Sequence, residues 1–237
     1  ITLQTVGPIR GIVGICDGVG HVRGYVGSPM LGDGMSLEEA VGVGGAIQVV
    51  KSHPSWPRPY NGITAIQFAD IDRDIGRYLA ESEQRTCALA AAASVKGVLC
   101  NAAGGYLIEQ LPDASDEEKE RVEKNLAKLV ELDGGEKLPI NLLLSGRTPV
   151  DVAAIVLEGL DMQPLQQIEP VLKCECTTDR LVRSLRLLPE EEVEHILESE
   201  GRVEARCEFC GKVYRMEADE ARQKLAEASR DPSVDES

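Results

Sequence analysis

LKCECTTDRLVRSL at residues 172–185, followed by LPEEEVEHILESEGRVEARCEFCGKVY at residues 188–214, decides how this chain is read. Cys174 and Cys176 form a C-x-C pair, and Cys207 and Cys210 form a C-x-x-C pair thirty residues further on. Four thiolates grouped as two close pairs are the donor set of a tetrahedral zinc site. Zinc ribbons usually take both pairs from C-x-x-C knuckles. The one-residue spacer between Cys174 and Cys176 gives a tighter half-site, which can also close on itself as a strained disulfide. The spacing therefore predicts a metal centre and leaves a redox switch open at the same sulfurs. Large apolar residues are few in this segment, and its own core would be small. Zinc binding in small modules contributes on the order of 10 to 16 kcal/mol, so without metal the segment is expected to unfold.

These stretches, together with YLAESEQ at residues 78–84 and AAGGYLIEQLP at residues 102–112, resemble the signatures of the heat-shock protein 33 family of oxidation-activated molecular chaperones. The resemblance covers most of the chain and is most specific around the cysteines. Two departures stand out. The chain opens at Ile1 inside an ITLQ strand, where family members carry a preceding helical segment, and Arg85-Thr86-Cys87 stands where a proline is common. The resemblance implies one Zn²⁺ per chain, held in the reduced state by Cys174, Cys176, Cys207 and Cys210, with low chaperone activity in that state. Pairing of Cys174 with Cys176 and of Cys207 with Cys210 would then eject zinc, melt the module and loosen a linker region. The newly exposed apolar surface would bind unfolding client proteins without ATP. A homodimer in the oxidised state and a non-enzymatic role belong to the same expectation.

From the residues alone, two rival readings share the four cysteines. One is a constitutive protein-interaction module with a purely structural zinc site. The other is a thiol oxidoreductase using Cys207 and Cys210, which would need a thioredoxin-like βαβ context that the flanking sequence does not offer. Seven cysteines, an odd number with four at metal spacing, point to a compartment that keeps thiols reduced. The expected location is cytoplasmic, or else a reducing organelle such as a plastid or mitochondrion.

Composition narrows the partners. The formal charge of −15 repels phosphate backbones, and only 3% of residues are aromatic, so neither electrostatics nor base stacking favours nucleic acid. No run of eighteen apolar residues exists; the most apolar stretch, CALAAAASV from Cys87, ends at Lys96, and no membrane partner is expected. Walker loops, nucleophile elbows and HExxH motifs are absent. GVGHVRG from Gly18 carries Arg23 in place of the third glycine of a dinucleotide loop and reads as a hairpin turn.

Glycine and charge divide the chain near residue 112. Residues 1–112 hold seventeen of the 23 glycines with a net charge of −2, and residues 113–237 hold six with −13. The fold class expected is α+β: a predominantly antiparallel-sheet domain over 1–112, a helical linker region over 113–172, a small zinc-binding redox module over 173–216 and a tail over 217–237. Strands are predicted at ITLQTV, GIVGICDG, HVRGYVG, GAIQVVKSH and NGITAIQFA, and a helix at DIDRDIGRYLAES. The alanine-rich run after Cys87 is helical by propensity, but its flanks and the resemblance favour a strand. Ser115 with Glu118 makes a capping box ahead of the stripe Val122, Leu126, Leu129 and Val130, a candidate client surface as well as a core face. Thr148 and Pro149 start another helix carrying Val152, Ile155 and Val156. Such helices are expected to depend on docking to the sheet. Two more helices, over residues 178–188 and 189–200, should bring the cysteine pairs together, and an acidic tail should follow a last helical start. Cys16, Cys87 and Cys100 stand among apolar residues and are expected to be buried, inert thiols. His21, His53 and His195 are read as surface residues, none at zinc spacing.

Overall fold

A computed structural model of the chain describes residues 1–32, 34–97, 99–134, 140–163 and 166–228. The fold is α+β, with ten strands among the described residues: β1 (Thr2–Thr5), β2 (Ile12–Cys16), β3 (His21–Val26), β4 (Gly45–Lys51), β5 (Tyr60–Ala65), β6 (Cys87–Lys96), β7 (Leu99–Glu109), β8 (Val171–Leu172), β9 (Arg202–Arg206) and β10 (Val213–Glu217). The helices are α1 (Leu37–Val41), α2 (Ile71–Glu83), α3 (Asp116–Leu132), α4 (Ile140–Leu144), α5 (Pro149–Val156), α6 (Thr178–Leu185), α7 (Glu190–Glu200) and α8 (Ala218–Ala228). The chain forms two compact units. One comprises Ile1–Gly14 with Val26–Ile168, and the other comprises Ile15–Tyr25 with the chain from Glu169 onward. Among the described residues, no helix is long and apolar enough to cross a membrane.

In the first unit β5, β4, β1 and β2 pair antiparallel in that order, with Leu3 opposite both Ile47 and Ile12. The alternation read in the sequence puts Leu3, Ile47 and Val49 on the face that α2 covers with Tyr78 and Leu79. Gly45 opens β4 with φ +87°, and a Cβ there would lie 2.0 Å from the Gln4 carbonyl oxygen, so the close pairing of β1 and β4 requires glycine.

The YLAESEQ motif ends α2. Tyr78, only 1% exposed, donates its hydroxyl to Glu83 Oε1 at 3.1 Å, and Lys51 and Arg85 reach the same carboxylate at 2.5 and 3.3 Å. Gln84 closes the helix in the left-handed conformation with φ +56°. The motif thus carries a buried, fully partnered anchor between helix and sheet.

The alanine-rich run is a strand. β6 and β7 form a two-stranded antiparallel sheet in which Ala91 faces Gly105 and Ala92 faces Gly104. Cross-strand pairing of small side chains overrides the helical propensity of alanine. α3 begins at Ser115 with the reciprocal Ser115/Glu118 capping box, and α5 at Thr148 with an equivalent one to Asp151. Leu129, 2% exposed, joins Val152 and Val156 in a cluster that packs on Tyr106 and Ile108 of β7, so the linker helices are docked to a sheet as their single apolar stripes require.

A buried polar network, absent from the sequence reading, reinforces that docking. Asn125 on α3 donates to the carbonyls of Val156 and Glu158, both at 2.9 Å, at the end of α5. The Asp133 carboxylate accepts the Leu142 amide at 2.7 Å, while Asn141 donates to the Asp133 carbonyl at 2.7 Å, tying α4 to the end of α3. Replacing Asn125 by alanine removes both donors to the α5 terminus, an expected loss of about 1–3 kcal/mol. Hydrogen exchange should show it as weakened protection in α3 and α5, with β4 unchanged.

The second unit has its own core of Leu181, Val182 and Leu185 from α6, Val193 and Leu197 from α7, Val203 from β9, Met216 from β10 and Ala221 from α8. Ala221 is 0% exposed, so packed structure runs on through α8, and the acidic tail read after it lies outside the described residues.

Candidate metal centre

The two half-sites come from different kinds of local structure. Cys174 and Cys176 lie between β8 and α6, whose first turn is capped by the Thr177 hydroxyl. Cys207 and Cys210 lie in the loop of the β9–β10 hairpin, where Arg206 faces Val213. That loop is a tight knuckle: the Cys207 amide donates to the Lys212 carbonyl at 2.9 Å, the Gly211 amide donates to the Cys207 carbonyl at 2.8 Å, and Gly211 takes φ +71°. The hairpin was not read from the sequence: Arg202, Glu204 and Arg206 alternate with Val203 and Ala205 in a strand period, but over only five residues directly after a helix.

All four sulfurs converge, each within 4.8 Å of the others. The shortest approaches cross between half-sites, with Cys174 Sγ 3.6 Å from Cys207 Sγ and Cys176 Sγ 3.4 Å from Cys210 Sγ. A tetrahedron with metal–sulfur bonds of about 2.3 Å has sulfur–sulfur edges of about 3.8 Å, so this donor set fits a four-coordinate thiophilic cation. The four close cysteines could hold a metal ion. No histidine takes part: His21 Nδ1 pairs with Asp17 Oδ2 at 2.8 Å, and His195 is exposed on α7.

The sulfurs are electrostatically unequal. A hydrogen bond from the Tyr214 hydroxyl, followed by the contact with Cys210, draws the Cys176 thiol down to about 6. The Cys176 amide favours a thiolate at Cys174, but burial and the three other sulfurs outweigh it and push Cys174 up to about 12. Cys210 is also raised: the Lys212 amide favours its thiolate, but the contact with Cys176 and burial prevail. Cys176 therefore ionises ahead of Cys174 and Cys210, and a bound cation would have to supply the attraction that makes all four anionic. Of the basic residues near in sequence, Lys173 is engaged by Glu175 at 2.9 Å and Lys212 lies 4.9 Å from the Tyr214 ring.

Sequence reading missed two contributors. One is Tyr214, whose hydroxyl donates to the Cys176 carbonyl at 2.6 Å and to its sulfur at 3.1 Å. The other is the segment Ile15–Tyr25, some 150 residues upstream. Its β3 pairs parallel with β8, placing His21 opposite Val171 and Val22 opposite Leu172. Its Tyr25 ring meets Phe209 edge-on at 5.1 Å, with the Arg23 guanidinium 5.2 Å from the same ring. The phenylalanine inside the C-x-x-C knuckle thus has an aromatic and a cationic partner.

The remaining cysteines correct an expectation. Cys16 and Cys100 are exposed and Cys87 is half-buried, with burial raising its thiol. All three lie on strands, where apolar neighbours in sequence alternate between faces and do not enclose a side chain.

This geometry has known relatives. The sequence matches the family model described as Hsp33 protein over residues 1–217. A 33 kDa chaperonin of Clostridioides difficile is 31% identical over 233 residues, covering 96% of this chain and 77% of that protein. A 33 kDa chaperonin of Symbiobacterium thermophilum is 32% identical, covering 94% of this chain and 76% of that protein. The crystal structure of a 33 kDa chaperonin (heat shock protein 33 homolog) from Thermotoga maritima superposes with a TM-score of 0.78 at 25% identity, covering 97% of this chain and 78% of that one.

Metal analysis of the purified, reduced chain tests the centre directly. Wild type is expected to carry one zinc per chain, and the Cys207→Ser/Cys210→Ser double variant none. Full occupancy in that variant would refute the four-sulfur site.

Proposed function

This chain belongs to the Hsp33 family, and we propose that it is a redox-regulated, ATP-independent holdase chaperone whose four-cysteine centre binds one Zn²⁺ when reduced. The observation that carries the reading is the convergence of Cys174, Cys176, Cys207 and Cys210, whose sulfurs all lie within 4.8 Å of one another. The curated relatives are named chaperonins, which fits a protein that binds other polypeptides and does not turn over a substrate.

When bound, the cation supplies a cross-link between the two half-sites and the positive charge that four thiolates need. The rest follows from the chain's own residues. The β9–β10 knuckle presents Cys207 and Cys210 on one short loop, and the segment before α6 presents Cys174 and Cys176. Peroxide converts one thiolate to a sulfenic acid with release of hydroxide; a neighbouring thiolate attacks that sulfur, forming a disulfide and releasing a second hydroxide. Pairing within each half-site, Cys207 with Cys210 and Cys174 with Cys176, consumes all four donors. The unit then loses the cross-link between its two half-sites, and its order with it.

The proposed client surface comes from the linker region, residues 113–172. Leu126, Leu129, Val152 and Val156 are covered only as long as α3 and α5 stay docked on β7. Release of those helices would expose an apolar stripe able to hold unfolding chains, an order-to-disorder switch. A cytoplasmic setting and an oxidised homodimer are consistent with this reading and form part of the proposal.

Peroxide with mild heating should release zinc and raise suppression of client aggregation together, and reductant with zinc should reverse both. Equal suppression by the reduced and oxidised forms would instead indicate a constitutive binding module. After zinc loss, hydrogen exchange should show protection lost over Val122–Val130 and Val150–Leu157, with the strands around Ile12, Ile47 and Ile63 still protected. Unchanged exchange in those helices would break the proposed link between thiol chemistry and client binding even if zinc were released.

A further inference from the structure

We propose that Tyr214 is a positioning residue of the metal centre, its hydroxyl holding Cys176 Sγ through a hydrogen bond that sets how firmly this sulfur is retained. The inference rests on the four sulfurs being a metal site and adds to them a side chain that is not a ligand. Tyr214 lies on β10 opposite Ala205, one turn of chain beyond the C-x-x-C knuckle. Its ring packs against the core of its unit, and the Lys212 ammonium sits 4.9 Å from the ring centre. Ring and backbone are thus fixed before the hydroxyl is considered.

The hydroxyl reaches across 38 residues of sequence to the other half-site, to the Cys176 carbonyl at 2.6 Å and the Cys176 sulfur at 3.1 Å. Among the described residues it is the one hydroxyl bonded to any of the four sulfurs. The phenol has a single proton, and both acceptors belong to the same residue. A donor directed at a metal-bound thiolate draws electron density from sulfur, orients it, and lowers its reactivity toward an oxidant. The C-x-C half-site, with its single spacer residue, has less backbone with which to fix its sulfurs than the C-x-x-C knuckle. A side chain that grips both the carbonyl and the sulfur of Cys176 compensates for that. The consequence is an asymmetric centre in which Cys176 is the shielded thiolate.

The test uses the reduced, full chain loaded with Co²⁺ or Zn²⁺, comparing wild type with Tyr214→Phe, which removes the hydroxyl and keeps the ring. Loss of the bond should move the thiolate-to-cobalt charge-transfer band to lower energy, weaken metal retention against a chelator by about tenfold, and speed zinc release by peroxide. Circular dichroism of the loaded variant should match wild type. A second variant guards against misfolding: 3-fluorotyrosine placed at position 214 is a stronger donor in a nearly isosteric ring and should move the band to higher energy. If wild type binds metal and neither variant moves the band, the phenol proton belongs to the carbonyl and the proposal fails. If wild type binds no metal, it is the reading of the four sulfurs as a metal site that fails.

Discussion

Four sulfurs held within 4.8 Å of one another cannot all be anionic without a cation between them. Two unit charges about 4 Å apart repel by about 4 kcal/mol at an effective dielectric constant of about 20, and four thiolates make six such pairs. Of the nearby cations, Lys173 is paired with Glu175, and the chain beyond residue 112 is strongly acidic. The shifts at Cys174 and Cys210 express the same conflict, since without a cation these thiols keep their protons. Everything proposed for the small unit follows from how that conflict is resolved. A thiophilic cation turns it into a cross-link, and disulfides abolish the charge but also the cross-link.

The same proposal makes the stability of α3 and α5 conditional, for a different reason. α3 and α5 each offer one narrow apolar stripe, and only Leu129, Val152 and Val156 are fully buried between them and β7. Capping boxes at Ser115 and Thr148 start both helices well, Asn125 in the middle of α3 holds the end of α5, and Asp133 ties the end of α3 to α4. The result is a cooperative but thinly supported set of helices. In the sheet, by contrast, Ile47 sits at the centre of a larger cluster, with β1 and β5 hydrogen-bonded on either side of its strand. If those helices and the four-cysteine unit each depend on a further contact, as proposed, the fold can lose order in parts without losing it everywhere.

Much of this was legible in the sequence because the signals were local. The C-x-C and C-x-x-C spacing, the two capping boxes and the alternating strands of residues 1–65 each depend on residues a few positions apart. What escaped was non-local or sparsely marked. The pairing of β3 with β8 joins residues 150 apart in sequence, and no pattern within HVRGYVG announces it. In β9 the strand period of RVEAR runs for only five residues directly after α7 and is easily passed over, yet the knuckle it leads into is what orients Cys207 and Cys210. Asn125 sits within an amphipathic helix, where a polar residue reads as solvated; only the arrival of the α5 terminus makes it a buried donor. Cys16 and Cys100 misled in the opposite direction, since apolar neighbours along a strand point to both faces.

Tyr214 joins these strands of argument, being a local residue with a non-local role. In sequence it is one aromatic position after a C-x-x-C knuckle, and hydrophobic packing accounts for it fully. In the fold its ring does pack against the core, so the hydroxyl is carried to a fixed point at no further conformational cost. That fixed point lies against Cys176, on the half-site with the shorter spacer. A switch built from four equivalent thiolates would have no preferred first step. One in which a phenol shields a single sulfur would direct oxidant toward the others. The same hydrogen bond would then favour slow loss of the metal.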